Sequence, residues 1–195
     1  MSVDSVLTPW RALRATLWIK PGERVRVVGA GGLGLDAAQI ALAASDHVAG
    51  ADSNEQARLA GIGLGAAAAV SPTVPAPPAE WAPRGADVVV DTSDASGEFE
   101  GVRARVPVPC PGERLIVLGD ALGVEHGCDL PRPAIEELSI MAARPSEAAV
   151  EAPDAVARRE IRAIVSETVA HDDVNDALCR LGRGQIVGRA VVAIA

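Results

Sequence analysis

Residues 24–52 read RVRVVGAGGLGLDAAQIALAASDHVAGAD, and the order of residue types in this stretch sets the fold. Arg24 to Val28 is a valine-rich run of strand composition. Gly29, Gly31 and Gly34 follow as a G-x-G-x-x-G turn. Leu33 to Ala44 is apolar and alanine-rich, which suits a helix, and His47 to Ala51 reads as a second strand with Asp52 at its end. Strand, glycine turn, helix and strand in that order make one βαβ unit.

Each glycine answers a physical need. Gly29 permits the sharp exit from the strand, Gly31 leaves room for a ligand to approach the backbone, and Gly34 lets helix and sheet pack closely. The helix opening there directs free N–H groups and its positive end outward, a setting for a pyrophosphate. Asp52, 18 residues beyond Gly34, stands where a carboxylate accepts ribose hydroxyls and repels a 2′-phosphate, which favours NAD over NADP. The expectation is an α/β fold: a Rossmann-type, doubly wound parallel sheet that binds NAD(H). The plainer alternative is a tight turn followed by an ordinary turn acid. S-adenosylmethionine sites use similar turns but want an acid just before the first glycine, where this chain has Val27 and Val28.

Bulk composition agrees. The chain has 195 residues, enough for one good domain plus an appendage. Only 2% are aromatic, with one Phe and no Tyr, so the core falls to Val, Leu, Ile and Ala, as parallel sheets under helices require. A net charge of −8 argues against nucleic acid and anionic membrane surfaces as partners. Cys110, Cys128 and Cys179 form no C-x-x-C pair and no even framework, which fits a reducing compartment. The first 20 residues lack the pattern of a signal peptide, and the longest apolar stretch contains Arg26 and Asp36. A cytoplasmic location is expected.

Further elements are expected along the chain. Thr8 to Trp18 reads as a short helix, with Leu13 and Leu17 four apart. Asn54 to Leu64 should be helical despite Gly61 and Gly63. Pro72 to Pro83 holds five prolines and reads as a loop. Strands are expected at Ala86 to Val90, Arg114 to Leu118, Leu138 to Ala142, Ile161 to Val165 and Gly188 to Ile194, and a short helix at Glu98 to Val106. Asp172 or Asp173 should cap a helix running to about Leu181. Three parts follow: a lead-in at 1–20, the dinucleotide-binding domain at 21–145, and a C-terminal segment at 146–195.

The segments LTPWRALR (7–14), KPGERVRVVGAGGLGLDAAQIA (20–41), GADVVVDT (85–92), PGERLIVLG (111–119) and DDVNDALCRLGRGQIVGRAVV (172–192) together resemble the zinc-type alcohol dehydrogenases of the medium-chain dehydrogenase/reductase superfamily. The resemblance implies hydride transfer between an alcohol or carbonyl compound and NAD. It assigns Gly29, Gly31, Gly32, Leu33 and Gly34 to the pyrophosphate loop and Asp52 to the ribose. Thr92 and Gly119 fall on the nicotinamide side, and Arg189 on the pyrophosphate. Without the resemblance, Arg189 would read as a solvated charge. The family's catalytic zinc domain would precede Met1, so the chain looks like its nucleotide-binding part, with an incomplete C-terminal piece of the catalytic domain. Asp4 aligns with one zinc ligand, yet a single carboxylate does not hold catalytic zinc. His126, Cys128 and Asp129 lack a fourth ligand. Ala57, Asp94 and Asp120 depart from the family's usual residues.

No catalytic residue is named, and His47 and His171 read as a surface residue and a cap. Val165, Val169, Leu178, Ile186 and Val191 are expected to need cover, which points to a homo-oligomer or a partner chain. The expected function is the NAD(H)-binding part of an alcohol dehydrogenase-like oxidoreductase. The alternatives are a non-catalytic NAD(H)-binding module or a remnant that only folds.

Overall fold

The computed structural model describes residues 3–71, 81, 85–93, 114–118, 139–142, 158 and 160–194. Strands β1 (Arg24–Val28), β2 (His47–Ala51), β3 (Ala68–Val70), β4 (Val88–Asp91), β5 (Arg114–Val117) and β6 (Ser139–Ala142) form one sheet in the order β3-β2-β1-β4-β5-β6. Every pairing in it is parallel. The chain winds outward from β1 through β2 to β3, then restarts beside β1 at β4, so the winding reverses between β1 and β4. In such sheets ligands bind at the carboxyl ends of the strands flanking that point. Val28 is level there with both Ala51 and Asp91.

Both faces of the sheet are covered, which is why its strands are mostly apolar. On one face Val25, Val27, Val48, Val88, Val90 and Ile116 pack with Leu13, Leu17 and Ile40. On the other, Val28, Ala49, Val89, Leu115 and Val117 pack with Trp81. Helix α2 (Gly32–Leu42) and the N-terminal helix lie on the first face. Ion pairs pin the opposite, amino-terminal edge. Arg24 grips Asp87 through Nη2 at 2.8 Å and Nε at 3.0 Å. Arg114 pairs with Glu23 at 2.7 Å and donates to the Leu17 carbonyl.

Strands at 24–28 and 47–51 match the sequence reading, and helix α3 (Glu55–Gly63) forms with Asn54 as its cap despite two glycines. Strands 88–91, 114–117 and 139–142 fall within a residue or two of expectation. Other boundaries are corrected. The N-terminal helix does not begin at Thr8: α1 spans Val3–Trp10 and runs on as a π-helix, Arg11–Thr16. It ends because Trp18 takes a left-handed conformation (φ 49°), which turns its ring outward while Leu17 and Ile19 stay buried. Strand β3 was not anticipated, being three residues of Ala and Val beside the proline-rich stretch. Residues 94–113 and 119–138, with the expected helix at Glu98 to Val106, Gly119, Asp94, Asp120, Cys110, His126, Cys128 and Asp129, lie outside the described residues, as does most of Pro72 to Pro83.

The C-terminal strand does not run from Ile161 to Val165. It begins at Val165 and ends at Ala170, because Ile161 turns into the main core instead. This strand, β7, pairs in parallel with β8 (Arg189–Ala193) as a separate two-stranded sheet, joined by helix α4 (Val174–Gly182). Asp173 holds the position before α4, but its side chain makes no capping bond, since a 3₁₀ turn (His171–Asp173) precedes the helix. Val169 and Ile186 are buried, while Val165, Leu178, Leu181 and Ile194 remain exposed.

Two side chains tie this segment to the main sheet. Gln39 of α2 donates to the Arg162 carbonyl at 2.8 Å and accepts the Arg162 N–H at 3.0 Å. Asn54 donates to the Gly184 carbonyl at 2.8 Å. Gln39→Ala removes a two-bond clamp, each bond worth about 1 kcal/mol. Amide exchange at Arg162 should then accelerate by about thirtyfold. Unchanged protection at Arg162 would show that the clamp does not hold the segment.

Candidate cofactor site

The carboxyl edge of β1 is shaped by contacts that leave no space for side chains. Gly29 has φ 87°, a conformation that side chains resist, and a Cβ there would lie 2.8 Å from Thr92 Oγ1. A Cβ at Gly34 would collide with the Gly29 carbonyl oxygen. The Thr92 hydroxyl, at the end of β4, lies 3.0 Å from the Val28 carbonyl and 3.1 Å from that of Gly29, and donates to this pair. Strand exit, helix start and the β4 end are thereby one packed unit.

Around Gly31 the opposite holds: among the described residues nothing lies within 4 Å of the position a Cβ would occupy. Gly31 is exposed and precedes the first residue of α2, whose first-turn N–H groups have no partners inside the helix. Leu33 is half-buried in that turn. Gly32 is different again, because the Arg189 side chain lies across it, with Cδ 2.7 Å from where a Cβ would be. Gly188 sets up this approach. Its φ is 92°, a Cβ there would lie 2.5 Å from the Ile164 carbonyl oxygen, and Arg189 N–H donates to the same oxygen at 2.8 Å.

Asp52 closes the other side. Its Oδ2 accepts the Ala30 N–H at 2.6 Å and its Oδ1 the Asn54 N–H at 2.7 Å. The carboxylate is therefore fixed in orientation against the glycine turn while half-buried. Arg58 Nη1 donates to the Asp52 and Ser53 carbonyls at 2.8 and 3.0 Å, holding the loop after β2. Gly29, Gly31, Gly32, Gly34, Asp52, Thr92 and Arg189 thus converge from four separate stretches of chain. Among the described residues the arrangement fits a dinucleotide: an open approach at Gly31, first-turn amides behind it, a guanidinium whose buried Nε has no partner, and an oriented carboxylate.

One residue of this region was missed. Asp36, in the second turn of α2, is 1% exposed, and among the described residues neither carboxylate oxygen has a hydrogen-bond partner. Burial pushes its carboxyl up to about 7, with the Arg189 charge pulling the other way. The signal was available, as the one acid in an otherwise apolar or amide-bearing helix. Among the described residues no group of three or more His, Cys, Asp or Glu is placed to hold a metal ion. No described helix is long and apolar enough to cross a membrane.

No family model matches the sequence, and no curated protein matches it. Solved structures do match in fold. An NAD-dependent alcohol dehydrogenase is 24% identical with a TM-score of 0.81, over 98% of this chain and 57% of that one. The alcohol dehydrogenase of the hyperthermophilic archaeon Aeropyrum pernix is 25% identical with a TM-score of 0.78, over 99% and 56%. The alcohol dehydrogenase rspB of E. coli CFT073, solved with NADH, is 18% identical with a TM-score of 0.79, over 99% and 58%. Over its own length the chain shares the parallel-sheet, Rossmann-like fold of the corresponding part of these structures. The chain spans a little more than half the length of these structures.

The glycines separate fold from ligand. Gly34→Ala should destabilise the chain by about 3 kcal/mol through the clash at Gly29. Gly31→Ala should leave the melting temperature within a few degrees. Equal stability loss in both would contradict this division. Asp36 gives a pH signature. Its carboxyl is raised from 3.8 in the unfolded chain to about 7, so its contribution is fully present below pH 3.8 and is lost as pH rises through 7. The loss is at most about 4 kcal/mol. The melting temperature of Asp36→Asn relative to the parent should therefore rise between pH 5 and pH 8. A constant difference would show that Asp36 titrates normally.

Proposed function

We propose that this chain is the NAD(H)-binding part of an alcohol dehydrogenase-like oxidoreductase, which moves a hydride between an alcohol and its aldehyde or ketone. The observation that carries the reading is the convergence of Asp52 and Arg189 on the two sides of one glycine turn at the winding reversal of the sheet. The dehydrogenase folds that this chain matches support the same class. In this reading the N–H groups of Gly32, Leu33 and Gly34 and the Arg189 guanidinium bind the pyrophosphate, each from a direction the fold fixes. Asp52 accepts the adenosine ribose hydroxyls with lone pairs not used by Ala30 and Asn54. Thr92 braces the turn from the end of β4.

NAD supplies the hydride acceptor when bound, and the chain's part is to hold and orient it. The exposed Val165, Leu178, Leu181 and Ile194 support a further protein surface at this end, from a second copy or from a chain carrying the catalytic portion.

A fluorescence titration of the purified chain with NADH, run beside NADPH, tests the reading. Saturable NADH binding is expected, with NADPH weaker by about tenfold or more, and Asp52→Ala should weaken NADH by a similar factor. No saturation with either, or tighter NADPH binding, would refute it.

A further inference from the structure

Gly32 and Asp36 stand four residues apart on α2 and so lie on the same face, one turn above the other. Arg189 crosses that face at Gly32. Among the described residues its Nε is buried without a partner, and so are both oxygens of Asp36. The Arg189 charge therefore acts on buried Asp36, with no hydrogen bond between them among the described residues. An ordinary buried ion pair would satisfy both groups. Here neither group is spent on the other, and Arg189 lies over Gly32, next in the chain to the open position at Gly31.

We propose that Asp36 is a positioning residue of the dinucleotide site, which competes with the pyrophosphate for Arg189 and takes up one proton when the dinucleotide binds. The inference rests on the cofactor reading given above. Ionised Asp36 is tolerated in its buried position because Arg189 offsets it. A pyrophosphate against the first turn of α2 brings negative charge to the far side of the same guanidinium. That screens Arg189 from Asp36 and adds repulsion, so the carboxylate accepts a proton from solvent and becomes a neutral acid. By linkage, what binding does to the proton the proton does to binding: neutral Asp36 frees Arg189 and tightens the complex. A carboxyl already raised to about 7 makes this exchange possible at working pH.

The surrounding charges do not replace this pair. From β8 comes Arg189 itself, the charge that acts on Asp36 among the described residues. The segment before β7 brings Arg162, which meets α2 through its backbone at Gln39. Beside the start of α2, Asp52 is held by two amides and Arg58 lies on two carbonyls. The N-terminal helix carries Asp4, Arg11 and Arg14, the last stacked on Trp10. Glu167 of β7 is bonded to Arg180.

Calorimetric titration with NADH in two buffers of different ionisation enthalpy reads the proton directly. Between pH 6.5 and 8.5 the dissociation constant of the parent should rise by about tenfold, with net proton uptake near pH 7.5. Asp36→Asn and the apolar Asp36→Leu should bind without uptake and with an affinity independent of pH. Uptake that persists in both variants, or saturable binding by the parent without uptake, overturns the role of Asp36 and leaves the cofactor reading standing. Failure of the parent to saturate at any pH overturns the cofactor reading, and this inference with it.

Discussion

Helix α2 meets the exit of β1 with no Cβ between them, and the rest of the structure follows from that contact. Gly34 lies against the Gly29 carbonyl so closely that a methyl group has no room. The approach aims the helix axis at the end of the strand and brings the unpartnered N–H groups of its first turn to the sheet's carboxyl edge. It also fixes where the helix runs back across β1, with Ile40 and Ala41 in the core beside Val25 and Val27. A helix standing farther off would lose both the packing and the aim.

Charge is divided between the two edges of the sheet in a way that suits this geometry. At the amino edge, Arg24 with Asp87 and Arg114 with Glu23 are satisfied pairs that lock strand ends. At the carboxyl edge, Asp52 is oriented by amides, and among the described residues Asp36 and Arg189 Nε have no hydrogen-bond partner. The locked edge is scaffold. The edge with unspent hydrogen-bonding capacity is where binding can repay the desolvation already incurred. The C-terminal segment belongs to this second edge through Gln39, Asn54 and Arg189, although its own sheet is separate from the main one.

The sequence made some of this legible and hid the rest for identifiable reasons. Strands β1 and β2 and the glycine turn carry local signals, so they could be read directly: valine runs, a spaced glycine pattern and an acid at a strand end. Arg189 could not be read locally, since its meaning comes from contact with Gly32, far away in the chain. Only family resemblance placed it. Asp36 was passed over because its neighbours in sequence are alanines and leucine, and burial rather than motif gives it importance. Boundaries slipped where tertiary packing outweighed propensity, as at Ile161, drawn into the core, and Trp18, turned out of it.

The central claim is that one ligand touches three separate stretches of this chain at once. Hydrogen–deuterium exchange with and without saturating NADH measures this most directly. The account expects joint slowing at residues 30–35, 52–54 and 187–190, with the amino-edge positions 23–25 and 87–88 unchanged. Slowing confined to one stretch, or found only away from the carboxyl edge of β1, would contradict it.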